Sequence, residues 1–262
     1  MKPEMKPNEI IISETPFRIP LGGGSSDLPT YYEKHGGFIF GVAVERYMRI
    51  LFSTPVTDDD VHLQYRKYET EPSWRSLKHL IAREALHMIG IENKIFISFH
   101  ADTPAGTGLG SSGACAVGLL CGLVAYTNRN TGNREVARLA FDLTQNIGLT
   151  DGKQDPYICA LGGFVALDIA RDGKVLVSYP DIKQETKDSF FNKTLFFYTG
   201  IQRESQKILQ QQGSSDVIEM KHKIKEIGKK ILTCFCNGDL DSFGGLLDEH
   251  WLIKRQMPGT SN

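Results

Sequence analysis

The stretch Asp102-Thr103-Pro104-Ala105-Gly106-Thr107-Gly108-Leu109-Gly110-Ser111-Ser112-Gly113 holds the residues whose types and spacing speak most directly of chemistry. Gly106, Gly108 and Gly110 fall within five residues, and such a loop lets backbone N–H groups come close to a ligand. An apolar run from Gly113 to Tyr126 follows at once and reads as a buried helix. The first turn of that helix leaves N–H groups unpaired, and its macrodipole attracts anions. The pattern predicts a phosphate site where the hydroxyls of Ser111 and Ser112 donate to phosphate oxygens or coordinate magnesium. No lysine stands before the serines, which excludes a P-loop of the Walker kind. Gly108 to Gly113 also satisfies G-x-G-x-x-G, so a dinucleotide site is an alternative. The region about 20 residues on, where that reading needs an acid closing a second strand, is the polar turn Asn128 to Asn133. The plainest alternative is a glycine turn that only permits tight strand-to-helix packing.

Three other places carry candidate side chains. Arg18 follows Thr15-Pro16-Phe17, Asp27 closes Gly22-Gly23-Gly24-Ser25-Ser26, and Asp155 ends Gly152-Lys153-Gln154. Taken singly, each has an ordinary explanation: a surface ion pair for Arg18, a helix cap before Leu28-Pro29 for Asp27, a turn former for Asp155. The histidines are scattered and form no nucleophile relay. Cys115 and Cys121 lie in the apolar run as small hydrophobes, and Cys234 with Cys236 lacks a second Cys or His pair at zinc spacing.

The elements that must position these groups can be read from pattern. Ile10 to Ser13 is a β-rich start leading into the first glycine loop. Phe38 to Val44 and Tyr47 to Phe52 read as adjacent strands, Leu77 to Ile89 as an amphipathic helix, and Lys94 to His100 as the strand before the phosphate loop. Glu135 to Asn146 reads as a helix, and Gly152 to Asp168 as a loop, a helical turn and a strand around Gly162-Gly163. Leu195 to Tyr198 reads as a strand, with helical segments at Arg203 to Gln212 and Val217 to Asn237.

Composition narrows the partners. Thirty basic and thirty-one acidic side chains in 262 residues give no global field that would draw nucleic acid or an anionic membrane, so a small molecule is the expected partner. The polar, proline-punctuated start has no apolar signal core, and the cytoplasm is the expected compartment. The apolar run is short of the ~20 residues needed to span a bilayer.

Pro104 to Ser112 resembles the phosphate-binding signature of the GHMP kinases, and three more stretches agree in type and order. Thr15-Pro16-Phe17-Arg18 with Gly22 to Pro29 is similar to the family's first motif as found in its heptose-phosphate and fucose kinase branch. Gly152-Lys153-Gln154-Asp155 with Gly162-Gly163-Phe164 resembles the stretch bearing the catalytic aspartate, and Tyr198 to Arg203 the opening of the second lobe. The resemblance implies an α+β, two-lobe fold. Residues 1–189 would form an N-terminal α/β nucleotide-binding lobe, and residues 190–262 an incomplete ferredoxin-like one.

It implies ATP-dependent phosphorylation of a sugar or sugar phosphate, with ATP and Mg2+ required. Asp155 would be the base and Arg18 the cation at the transferring phosphoryl group. Pro104, Gly106, Gly108, Leu109, Gly110, Ser111 and Ser112 would hold ATP. Gly23, Gly24, Ser25 and Asp27 would hold the sugar, and Arg203 would offer a cation to a substrate phosphate. Thr144 stands where the family places a magnesium-binding Glu, so the metal falls to Ser112 with Asp142 as the substitute. Pro156 replaces a Gln, and the family's C-terminal glycine loop does not occur before Asn262, which reads as a truncation. These departures keep a second class in view, a non-catalytic sugar- and nucleotide-binding protein of kinase fold.

Overall fold

A computed structural model describes residues 9–200 and 217–258. In chain order the elements are β1 (Ile11–Gly22), α1 (Pro29–His35), β2 (Gly37–Ser53), β3 (Val61–Gln64), β4 (Tyr68–Glu71), α2 (Leu80–Ile89) and β5 (Ile95–Ala101). There follow α3 (Ser111–Tyr126), α4 (Asn133–Asn146), α5 (Gln154–Leu161), β6 (Phe164–Ile169), β7 (Val175–Ser178), α6 (Gln184–Lys193), α7 (Ile218–Asn237) and α8 (Leu240–Lys254). One seven-stranded sheet runs β4-β3-β5-β2-β6-β7, with β1 pairing along β2.

The sheet is mixed: β3 with β5 is its parallel pair, and the other pairings are antiparallel. β5, which feeds the glycine loop, therefore belongs to no parallel doubly wound unit, and the dinucleotide alternative loses the architecture it requires.

The two strands expected at Phe38–Val44 and Tyr47–Phe52 are one strand, β2. The pairing with β1 steps from Pro16↔Tyr47 to Phe17↔Val44, so Glu45 and Arg46 form an irregularity within a continuous ladder rather than a turn. Alternate residues of β2 serve different cores. Phe38, Phe40 and Val42 join Leu21, Phe190, Ile227, Ile231 and Phe235 beneath α6 and α7, while Ile39 joins Tyr157 and Ile158 of α5. The largest core lies between α2, α3 and α4 and the strands β1, β2, β3 and β5, and it contains Val117, Leu119, Leu120, Leu123 and Val124.

Leu195–Tyr198 is not a strand. It pairs with no strand among the described residues and its side chains are exposed. The helical segment expected at Arg203–Gln212 lies outside the described residues. Position 189 falls within α6, and the helices beyond it pack on β1 and β2 through Ile227, Ile231 and Phe235. No helix among the described residues is long and apolar enough to cross a membrane.

Candidate active site

Arg18 is placed by β1, whose backbone N–H at that residue donates to the Leu109 carbonyl at 3.1 Å and so fixes the phosphate loop beside the strand. The buried guanidinium reaches in two directions. Nη1 donates to the Gly108 carbonyl at 2.8 Å, while Nε donates to Asp155 Oδ1 at 2.8 Å and Nη2 closes a second, shorter bond to the same oxygen. One side chain thus ties the glycine loop to an acid 137 residues along the chain. Burial works against the Arg18 charge, but Asp155, with help from Cys159 and Asp27, more than offsets it and the guanidinium pKa is raised.

Asp155 lies in the first turn of α5 rather than in a loop, where an acid suits the positive end of the helix. Pro156 sits in the same turn, a place where its missing N–H breaks no helix ladder. The first turn of α3 reaches the same point, since a Cβ on Gly113 would stand 2.5 Å from Asp155 Cβ. Gly106, Gly108 and Gly110 all take positive φ, near 80°, and Gly110 directly precedes α3, so the loop arrives with its backbone open beside the unpaired N–H groups of that helix.

Asp27 is almost fully buried. Its Oδ2 accepts from the backbone N–H of Gln154 at 2.9 Å, satisfying one of the unpaired donors that begin α5; its own α1 is not the helix it caps. Gly152 makes this approach possible, because a Cβ there would lie 2.0 Å from Asp27 Oδ2. The other oxygen, Asp27 Oδ1, is buried with no hydrogen-bond partner among the described residues, as is Gln154 Oε1. Burial pushes the Asp27 carboxyl above its ordinary pKa, against the pull of the Gln154 N–H, and nearby Asp155 adds to the rise. Ser26 anchors the loop by exchanging hydrogen bonds with Phe38, and Ser25 is held at φ 73°, a strained value for a residue with a Cβ. Lys254, the last residue of α8, donates to Ser25 Oγ at 3.2 Å.

The residues expected at a metal lie as follows. Thr144 is buried and turns its hydroxyl back to the Phe141 carbonyl at 2.8 Å. Asp142 pairs with Arg138 on the outer face of α4. The carboxylate that meets Ser112 is Asp151, whose Oδ2 accepts from Ser112 Oγ at 3.1 Å. Asp142, which sequence reading placed beside Ser112 at a metal, does not meet Ser112 here; Asp151 does, and its sequence signal is an acid in the loop joining α4 to α5, one residue before Gly152.

Arg18, Asp155, the Gly106–Ser112 loop, Asp27 and the Gly22–Ser25 loop therefore converge. Pro104 closes the far end of the phosphate loop, accepting at its carbonyl from Thr107 Oγ1 at 3.1 Å. Gln154 and Lys254 are further members that sequence reading missed, and Arg203 lies outside the described residues. An acid, a cation, a phosphate-type loop and two buried acceptors to which no described residue donates can together polarise a hydroxyl and hold charge that builds on phosphorus.

Residues 74–163 match the family model described as GHMP kinases N terminal domain. Over 94% of its length the chain is 24% identical to the D-glycero-alpha-D-manno-heptose 7-phosphate kinase of Campylobacter jejuni, spanning 77% of that protein. It is 23% identical to part of the bifunctional fucokinase/GDP-fucose pyrophosphorylase of Arabidopsis thaliana, covering 26% of that larger protein. The crystal structure of a D-glycero-D-manno-heptose 1-phosphate kinase from Bacteroides thetaiotaomicron superposes with a TM-score of 0.81 at 23% identity, over 96% of this chain and 81% of that one.

Proposed function

We propose that this chain, which carries a GHMP kinase N-terminal domain on the GHMP kinase fold, transfers the terminal phosphoryl group of ATP to a hydroxyl of a sugar or sugar phosphate. The observation that carries the reading is Arg18, bonded at once to Asp155 and to the Gly108 carbonyl of the phosphate loop. It brings together in one cleft the acid that meets a hydroxyl and the loop that holds a phosphate. The likeness to two heptose phosphate kinases supports a sugar as the acceptor.

Gly106 to Ser112 hold the nucleotide phosphates through backbone N–H groups and serine hydroxyls. Asp27 Oδ1 and Gln154 Oε1, buried acceptors to which no described residue donates, receive hydroxyl hydrogens of the sugar and fix which oxygen approaches. Asp155 takes the proton of that hydroxyl as its oxygen bonds to the terminal phosphorus and the bond to ADP breaks. Arg18 steadies the charge on the transferring oxygens. Ser112 Oγ and Asp151 Oδ2, 3.1 Å apart, would be the oxygen donors for magnesium. No cluster of three or more His, Cys, Asp or Glu stands among the described residues, so phosphate oxygens and water would complete its shell. Bound there, magnesium would neutralise the phosphates.

The test is ADP release from ATP over a panel of hexoses, heptoses and their monophosphates. Release that depends on one of these acceptors is expected. Release on mevalonate or homoserine with none on any sugar would overturn the sugar assignment, and failure to bind or cleave ATP would overturn the reading as a whole.

A further inference from the structure

Lys153 stands where a lysine is out of place. It is the N-cap of α5, immediately before Gln154 and Asp155, where a short oxygen-bearing side chain would cap the first N–H groups and where the helix macrodipole disfavours a positive charge. Its side chain makes no such cap. It is buried instead, only 5% exposed, with the ammonium over the Phe141 ring of α4. Nζ lies 3.7 Å from that ring centroid and 5.3 Å from the centroid of the Tyr32 ring in α1. The turn between β6 and β7 closes over this slot, since a Cβ on Gly173 would stand 3.5 Å from Tyr32 and 3.9 Å from Lys153 Nζ.

The slot joins the elements that carry the acceptor side of the cleft. α1 begins just after Asp27, α4 leads into the loop holding Asp151, and α5 opens with Gln154 and Asp155. Because Lys153 does not cap its own helix, the N–H of Gln154 is left for a distant acceptor, and Asp27 Oδ2 takes it at 2.9 Å. One residue on, Asp155 meets Arg18. Burial depresses the Lys153 pKa, with Asp142 and Asp27 opposing the fall. Two aromatic faces in a place withdrawn from water offset that cost and hold the ammonium to one spot.

We propose that Lys153 is a positioning residue for the acceptor hydroxyl: its ammonium, seated on Phe141 and beside Tyr32, sets where α5 begins, and through that the approach of Gln154 to Asp27 and of Asp155 to Arg18. The inference rests on the kinase reading above and deepens it. Lys153 touches no reacting atom and acts through Asp27 and Asp155. A shift of about 1 Å at the start of α5 moves the acid out of line with the hydroxyl, and a displacement of that size costs up to about 10² in rate. The rings of the slot belong to α1 and α4 and none to the phosphate loop, so nucleotide binding is spared.

Steady-state kinetics on the best acceptor test this in Lys153→Met, Lys153→Arg, Phe141→Leu and the double variant of Lys153→Met with Phe141→Leu. Lys153→Met keeps the stem and removes the charge, so kcat should fall about 10- to 100-fold and acceptor KM rise, while KM for ATP changes less than about threefold. Lys153→Arg, whose guanidinium also stacks on aromatic faces, should recover most of kcat. Phe141→Leu should reproduce the loss, and the double variant should be no slower than the slower single one, because the two groups form one contact. A Lys153→Met that is less stable but keeps the wild-type kcat, an arginine variant no better than the methionine one, or losses that multiply in the double variant would overturn the proposal. Should Lys153→Met fail to fold, Phe141→Leu decides by the same comparison with the wild type.

Amide hydrogen exchange reads the same pinning without turnover. Within residues 150–157 the Gln154 amide should exchange about tenfold faster in Lys153→Met than in the wild type, and at near the wild-type rate in Lys153→Arg. Equal exchange in all three overturns the proposal. Absence of ATP-dependent activity in the wild type would defeat the kinase reading and leave exchange to decide on the positioning role.

Discussion

The two ends of the cleft are built differently. At the β1–α5 end, one cation meets one anion through two hydrogen bonds to Asp155 Oδ1, and a third guanidinium N–H is taken by the Gly108 carbonyl, leaving two of the five N–H donors for a phosphate. At the α7–α8 end, Asp27 and Gln154 each keep one buried oxygen to which no described residue donates, and Lys254 reaches Ser25 over the glycine loop. The difference separates a centre assembled by folding from a surface that only a ligand completes. A catalytic pair that must act in register with a phosphate gains from being rigid before binding. A recognition site gains from unmet hydrogen-bonding groups, because a molecule lacking the matching atoms leaves them unpaired and is rejected.

Substitutions can break the comparison at either end. The largest effect is expected at the closed end. Arg18→Met removes the group that joins the phosphate loop to Asp155, and kcat should fall by about 10²–10³, the range for losing one preorganised donor to transition-state charge. Steady-state ADP release checks it, and a loss of less than tenfold would mean the link is structural only. Next is the junction between the ends, where Gly152→Ala drives a Cβ into the Asp27 carboxylate. Chemical denaturation should show a loss of about 1–3 kcal/mol, the usual cost of overpacking, with acceptor KM rising because Asp27 must move.

The smallest effect is expected at the open end, with the opposite sign. Lys221 has its pKa lowered below the ordinary 10.5, first by burial and then by Lys254, with Asp27 opposing. For a base depressed in the folded state, stability is fully present above the ordinary pKa and is lost as pH falls through the folded one. Lys221→Met should therefore raise stability by about 1 kcal/mol at neutral pH, and the gain should shrink as pH approaches 10.5. Denaturant midpoints at pH 7 and pH 10 test both the sign and the trend.

How much of this was legible in the sequence follows the same division. The phosphate loop and α3 were legible because three glycines and a long apolar run are local signals, and Arg18, Asp27 and Asp155 because their motifs occur in the family's order. The open end was not. Lys221 sits in a helix whose sequence reads as polar, and only packing against Tyr31 and the glycine loop withdraws it from water. Lys254 ends a helix that sequence reading missed altogether, since Gly244-Gly245 in its middle lowers helix propensity. Asp151 has no spacing signal of its own and gains meaning only when Ser112 meets it across 39 residues.

Two errors of element assignment have physical causes as well. β-branched and aromatic residues fit a pleated, half-buried surface, so Leu195–Tyr198 looked like a strand although none of the described strands pairs with it. Glu45-Arg46 reads as a break between two strands because two charged residues interrupt the β-rich pattern, whereas the ladder with β1 absorbs both without breaking β2.

The central claim is that Asp155 serves the acceptor hydroxyl of a phosphoryl transfer, and single-turnover transfer of labelled terminal phosphate from ATP to the best acceptor tests it most directly. Asp155→Asn keeps the size and reach of the side chain but removes its basicity. The transfer rate should fall by about 10²–10⁴ while ATP affinity changes less than about threefold. A variant that transfers phosphate at near the wild-type rate would contradict the account and leave Arg18 and the phosphate loop to carry the chemistry without a base.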